Sequence, residues 1–112
     1  MRDQDTQMAL VYCPCPSLEE AKRLGNALLD ARVAGCINIL PGMVSLYDWK
    51  GAREEAAEVV LIAKTTAGLA PSARGLLERE HSYDIPAILT LPLTDMNSGY
   101  RDWLLQNIRG GA

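Results

Sequence analysis

Phenylalanine is absent from the 112 residues, histidine occurs once and cysteine three times. Each scarcity removes a class of function. Without Phe, and with a net charge of −3, the chain is short of both the stacking rings and the basic surface that nucleic acid requires. The same charge speaks against an anionic membrane as the main partner. A single histidine, His81, leaves little room for a nucleophile–base–acid triad, and His81 with Asp84 is the only nearby acid–base pair. Three cysteines are an odd number without a ladder of spacings, so a disulfide framework is not expected and a reducing cytoplasm fits best. No apolar run approaches the roughly 18–20 residues of a membrane span. The run from Met8 to Cys13 is also too short for the core of a signal peptide. A Gly-rich GxxxxGK phosphate loop is missing as well.

What remains is a chain with 48 % hydrophobic residues, enough for a folded core. Its length suits one domain covering 1–112, with the acidic, polar "MRDQDTQ" of residues 1–7 as a flexible tail. "MALVYC" reads as a buried strand that Pro14 and Pro16 terminate. Ser17 followed by Glu20 forms a capping box. Leu18, Ala21, Leu24, Leu28 and Ala31 then make a helical stripe that Gly35 stops. "CINIL", a bend at Pro41–Gly42 and "MVSLYDW" lead to a hairpin tip at Lys50–Gly51–Ala52, and "AEVVLIAK" returns. Leu69 to Glu80 has helical spacing with Pro71 near its start, and "AILTLPL" is a fourth strand. Asn97 caps a last helix with Tyr100, Trp103, Leu104 and Ile108 on one face. Gly110 closes it.

The order β-α-β-β-α-β-α predicts an α+β fold, the ferredoxin-like split βαβ, with a long β-hairpin and a C-terminal helix. A sheet covered on one face should alternate apolar and polar residues. The returning strand instead carries Ala57, Val59, Leu61 and Ala63 on one face and Val60 and Ile62 on the other. One protomer cannot cover both faces, which predicts a homo-oligomer with the hairpin at its interface.

Several residues are candidates for chemistry. Cys13 and Cys15 share a face if the strand runs on to residue 15. They are then a soft-metal pair, a redox pair or small core residues. His81 is a helix-end cap, a metal ligand or a pH-sensitive contact. Tyr47 and Trp49 share a hairpin face. Lys64 pairs with an acid or snorkels. Glu54, Glu55 and Glu58 read as a solvated face.

The segments "AGCINILPGMVSLYDWKG", "EVVLIAKTT", "HSYDIPAILTLPL" and "GYRDWL", in this order, resemble the CutA family of divalent-cation tolerance proteins from about Met8 to about Ile108. The resemblance implies a tight homotrimer joined through its long hairpins. It implies a non-enzymatic cytoplasmic protein that responds to divalent metal ions, with copper or a similar cation as candidate ligand and no required cofactor. It places Cys13 at a position implicated in copper binding and Cys36 in the family's "AxC(V/I)N" segment. His81, Tyr83 and Pro86 fall in its "HPYxxPE" motif. Ser82 and Ala87 depart from that motif, and Ala87 removes a hard oxygen ligand. Gly35 replaces a commoner alanine. The expected metal residues are Cys13, Cys15 and His81. The family's trimer is similar to that of the PII signal proteins. A small-molecule cleft between subunits, near Trp49, Lys64, His81 and Tyr83, is the competing expectation.

Overall fold

The computed structural model describes residues 6–110. β1 (Met8–Cys15), α1 (Leu18–Asp30), β2 (Cys36–Trp49), β3 (Ala52–Thr66), α2 (Ala70–Glu80), β4 (Leu89–Pro92) and α3 (Ser98–Gln106) follow one another in the expected order. The four strands form an antiparallel sheet in the order β2-β3-β1-β4, the order of a split βαβ. The fold is therefore α+β, with one four-stranded sheet and three helices.

α1 and α2 pack on one face of the sheet. Val11, Cys13 and Cys15 of β1 and Leu61 and Ala63 of β3 meet Leu24 and Leu28 of α1 and Leu77 of α2, all fully buried. Each such leucine contributes about 1.5–3 kcal/mol through removal from water. Leu18 and Ala31, the outer ends of the α1 stripe, are exposed. The buried set is Ala21, Leu24, Gly25 and Leu28. α3 forms a second cluster with Met8, Leu104, Leu105 and Ile108. Trp103 stays about half exposed beside Tyr100, because Leu105 rather than Trp103 takes the inward position.

Three local features depart from the sequence reading. β1 does not end at Cys13 but runs through Pro14, which pairs with Val60, to Cys15. Ser17 Oγ does accept the Glu20 N–H at 3.1 Å, but the Glu20 carboxylate turns away from the cap, as described below. Gly35 does not stop α1, which ends at Asp30 with Ala31 as its C-cap and Arg32 in the left-handed region at φ 58. A Cβ at residue 35 would lie 2.8 Å from Leu104 Cδ1 and 2.9 Å from the Leu104 carbonyl oxygen. The close approach of α3 is what excludes a side chain there.

The β2–β3 hairpin extends well beyond the helices. It turns at Lys50–Gly51, both with positive φ, as a two-residue primed turn requires. Pro41 and Gly42 together oppose a single residue where the register shifts between Leu40 and Met43. This is a bulge, and it increases local twist. The last residue of the expected flexible tail is fastened: the Gln7 carbonyl accepts from the Ala67 N–H at 2.8 Å, and its side-chain amide donates to the Leu93 carbonyl. Residues 1–5 of that tail lie outside the described residues.

The second face of the sheet has little cover. Leu40, Leu89 and Leu91 are 55 %, 54 % and 45 % exposed. Their register partners Val60, Tyr12 and Leu10 place them on the side opposite the helices.

Candidate functional site: two sulfurs and a histidine at the end of the first strand

Why β1 can pass through a proline is the key to the site. β4 pairs only with residues 9–12 of β1, so beyond Tyr12 that edge is free. The Pro14 carbonyl turns to this free edge and meets His81 Nε2 at 2.8 Å. Its nitrogen faces the same way, so the missing N–H breaks no ladder bond with β3. Strand alternation then sets Cys13 and Cys15 side by side on the helix-covered face.

α2 delivers the third group. His81 is its C-cap, with its N–H bonded to the Leu77 carbonyl. The extended backbone at φ −72, ψ 144 swings the ring onto β1. The Tyr83 N–H donates to His81 Nδ1 at 3.0 Å. Nδ1 is thus the acceptor and Nε2 carries the proton that goes to Pro14. The ring thus belongs to the helix-end cap residue, and both of its nitrogens are hydrogen-bonded. Tyr83 packs its own ring on the imidazole, with centroids 4.7 Å apart.

One thiol or ring-nitrogen atom from each of Cys13, Cys15 and His81 lies within 4.8 Å of the others, and all three residues are buried. The two thiols influence each other. The hydrogen bond to the Cys15 sulfur, and then burial, push the Cys13 thiol far up. The same bond pulls the Cys15 thiol below its ordinary value against the effect of desolvation. Each thiol also reaches a backbone carbonyl, Cys13 that of Pro14 at 3.8 Å and Cys15 that of Cys13 at 3.6 Å. Cys36 stands in a different part of the molecule, against the α3 cluster.

A residue that the sequence assigned elsewhere completes the surroundings. Glu20 Oε2 accepts from both the Ser82 N–H and the Ser82 hydroxyl at 3.0 Å and lies 3.4 Å from His81 Nδ1. One turn away on α1, Arg23 donates to the Glu80 carbonyl at 2.9 Å. Together they pin the end of α2 and fix where His81 points. Burial works to raise the Glu20 carboxyl, but the two Ser82 bonds, with the Arg23 charge, outweigh it and hold the group below its ordinary value. The signal in the sequence was the Ser82 substitution, which supplies the N–H and hydroxyl that a proline could not.

The remaining candidates divide into two places. Tyr47, Trp49 and Tyr83 line a common cleft with Glu54 and Glu58; Glu54 and Glu55 are exposed as a solvated face, while Glu58 is half-buried. Tyr83 donates its hydroxyl to Glu58 at 2.9 Å. Desolvation and this carboxylate push the phenol up to about 12. Lys64 does not join them. It donates to the Tyr100 hydroxyl at 3.1 Å, and the ten residues that separate it from Glu54 span about 33 Å of extended strand.

A small α+β protein with a soft-donor cluster and a long hairpin is the class so defined. Residues 9–107 match the family model described as "CutA1 divalent ion tolerance protein". The Divalent-cation tolerance protein CutA of Thermus thermophilus is 38 % identical over 98 residues, covering 88 % of this chain and 95 % of that protein. The chloroplastic Protein CutA of Arabidopsis thaliana is 34 % identical over 100 residues; the match covers 89 % of this chain but only 55 % of the longer relative. The crystal structure of CutA1 from Oryza sativa superimposes with a TM-score of 0.89 at 34 % identity, covering 93 % of this chain and 95 % of that one. The chain belongs to the CutA family. Among the described residues no helix is long and apolar enough to cross a membrane.

Glu20 offers a direct check of the pinned helix end. A carboxyl held low in the folded state stabilises the protein above its ordinary titration range, and this contribution disappears as pH falls through the folded-state value. Glu20→Gln should therefore lower stability at neutral pH by about 1–2 kcal/mol. The difference from the parent should shrink on acidification. Urea titrations at fixed protein concentration between neutral and acid pH measure it; a pH-independent difference would contradict the assignment.

Proposed function

We propose that this chain is a non-enzymatic, homotrimeric metal-responsive protein that holds a soft cation, copper(I) foremost, between Cys13, Cys15 and His81. One observation carries the reading: the three donor atoms, all on buried residues, already converge within 4.8 Å in the protomer. Two thiolates and an imidazole match a soft ion. The same set is one ligand short of a closed tetrahedral zinc site. Hard oxygen ligands are poorly supplied, since Ala87 offers none and Glu20 is engaged by Ser82.

Both ring nitrogens of His81 are hydrogen-bonded, to Pro14 and Tyr83. Ligation must break one of these bonds, which favours modest affinity. Metal binding also needs deprotonated thiols and a neutral ring, so affinity falls as pH drops. The chemistry is coordination without turnover, consistent with family names that state ion tolerance and no reaction. A cytoplasmic location fits reduced, buried thiols.

The assembly reading rests on the uncovered sheet face. Leu40, Leu89 and Leu91 expose large apolar side chains there that water does not favour, and Val44 and Leu46 expose two more on the hairpin's other face. Further copies of the same chain are the occupants that bring matching apolar faces.

Two measurements test these readings. Anaerobic copper(I) titration against a competing chelator should give saturable binding. Cys13→Ser, Cys15→Ser and His81→Ala should each weaken it by about tenfold or more, as loss of one ligand in three requires. Unchanged affinity in all three, with the fold intact by circular dichroism, would contradict the site. Sedimentation velocity of the same samples should show a three-chain species at micromolar concentration; a folded single chain would contradict the assembly.

A further inference from the structure

Glu20 stands beside the soft cluster without belonging to it. The donors that converge are those of Cys13, Cys15 and His81, yet Glu20 Oε2 lies only 3.4 Å from His81 Nδ1. Nitrogen and oxygen ligands held at about 2.0–2.2 Å by one tetrahedral zinc ion sit about 3.3–3.5 Å apart. The ring nitrogen and the carboxylate oxygen already have that spacing. Nδ1 is also the ring atom without a proton, while Nε2 donates to the Pro14 carbonyl, the kind of backing bond that a ligating histidine makes with its other nitrogen.

Ser82 keeps the carboxylate out of the set. A carboxylate oxygen offers two lone-pair sites. The Ser82 N–H and the Ser82 hydroxyl fill both on Oε2, each at 3.0 Å, and Oε2 is the oxygen that faces the ring. An ion that recruits this oxygen must displace at least one hydrogen bond to an ionised acceptor, the stronger kind. The consequence is selective. Two thiolates and an imidazole suffice for copper(I). Zinc calls for a fourth ligand, and a glutamate oxygen is one of the groups that supplies it.

We propose, on the metal reading above, that Ser82 is the specificity-determining residue of the site: by holding Glu20 it denies zinc a fourth ligand and leaves a three-donor set for copper(I). Ser82 ligates nothing itself and acts through the carboxylate. The backbone accepts a variant that removes both bonds at once. His81, at φ −72 and ψ 144, is already in the extended region required of a residue before proline, and the Ser82 N–H is spent on Glu20.

The test titrates the metal-free full chain, in its native assembly and without oxygen, with zinc, cobalt(II) and copper(I). Ser82→Pro should raise zinc affinity relative to copper(I) by about tenfold or more, the scale on which groups behind the ligands act. Its cobalt(II) form should gain the intense visible absorption of a four-coordinate site. Ser82→Ala, which keeps the N–H, should raise the same ratio severalfold, and it decides the question where the proline variant does not fold. Adding Glu20→Gln should abolish either gain. An unchanged ratio in the Ser82 variants, or a gain that survives Glu20→Gln, would overturn the proposal while copper(I) binding by the parent chain left the metal reading in place. A parent chain that binds no copper(I) would overturn the metal reading and the proposal with it.

Discussion

The hydrogen bond from His81 Nε2 to the Pro14 carbonyl joins the two halves of the molecule that matter for function. It occupies the strand edge that β4 leaves open, at the one place where a proline in β1 breaks no ladder bond. It also sets the imidazole beside the Cys13 and Cys15 sulfurs. The contact is buried, with His81 only 8 % exposed. Losing it would leave a carbonyl and a ring N–H without partners, at about 1–3 kcal/mol for each group. A bond that expensive to leave unmade fixes geometry as well as adding stability.

Around that contact the fold divides its tasks. The helix-covered face supplies the packed core, with Leu24, Leu28, Leu61 and Leu77 fully enclosed. α1 does more than pack, because Glu20 and Arg23 hold the far end of α2 and so aim His81. The opposite face carries apolar side chains with no cover from the same chain. The cleft at its hairpin end is lined by rings and carboxylates. Tyr83 belongs to both places, packing on the imidazole and donating to Glu58.

The element order could be read from the sequence because it rests on local signals: apolar periodicity, the Ser17 cap, the Lys50–Gly51 turn and Pro71 at the start of α2. The two-sided apolar character of β3 was equally visible, since alternation along a strand is a local property. What was hidden depends on contacts distant in sequence. Pro14 reads as a strand end unless one knows that the neighbouring edge is empty. Glu20 reads as half of a capping box, and only the arrival of Ser82 from α2 shows its other use. Gly35 reads as a helix stop, although its constraint comes from Leu104. The expected cleft between subunits draws on both Lys64 and Trp49; within one protomer the length of β3 separates them. Glu58 reads as a solvated charge, and only the loop that follows α2 shows it accepting the Tyr83 hydroxyl.

The scarcity of histidine makes the central contact unusually easy to observe. With His81 alone in the sequence, a long-range proton–nitrogen correlation spectrum contains one imidazole, and the shifts of its two nitrogens report which one carries hydrogen. The account predicts a single tautomer at neutral pH, protonated at Nε2, with a slowly exchanging ring proton. An Nδ1-protonated ring, or a rapidly exchanging mixture of the two forms, would contradict it.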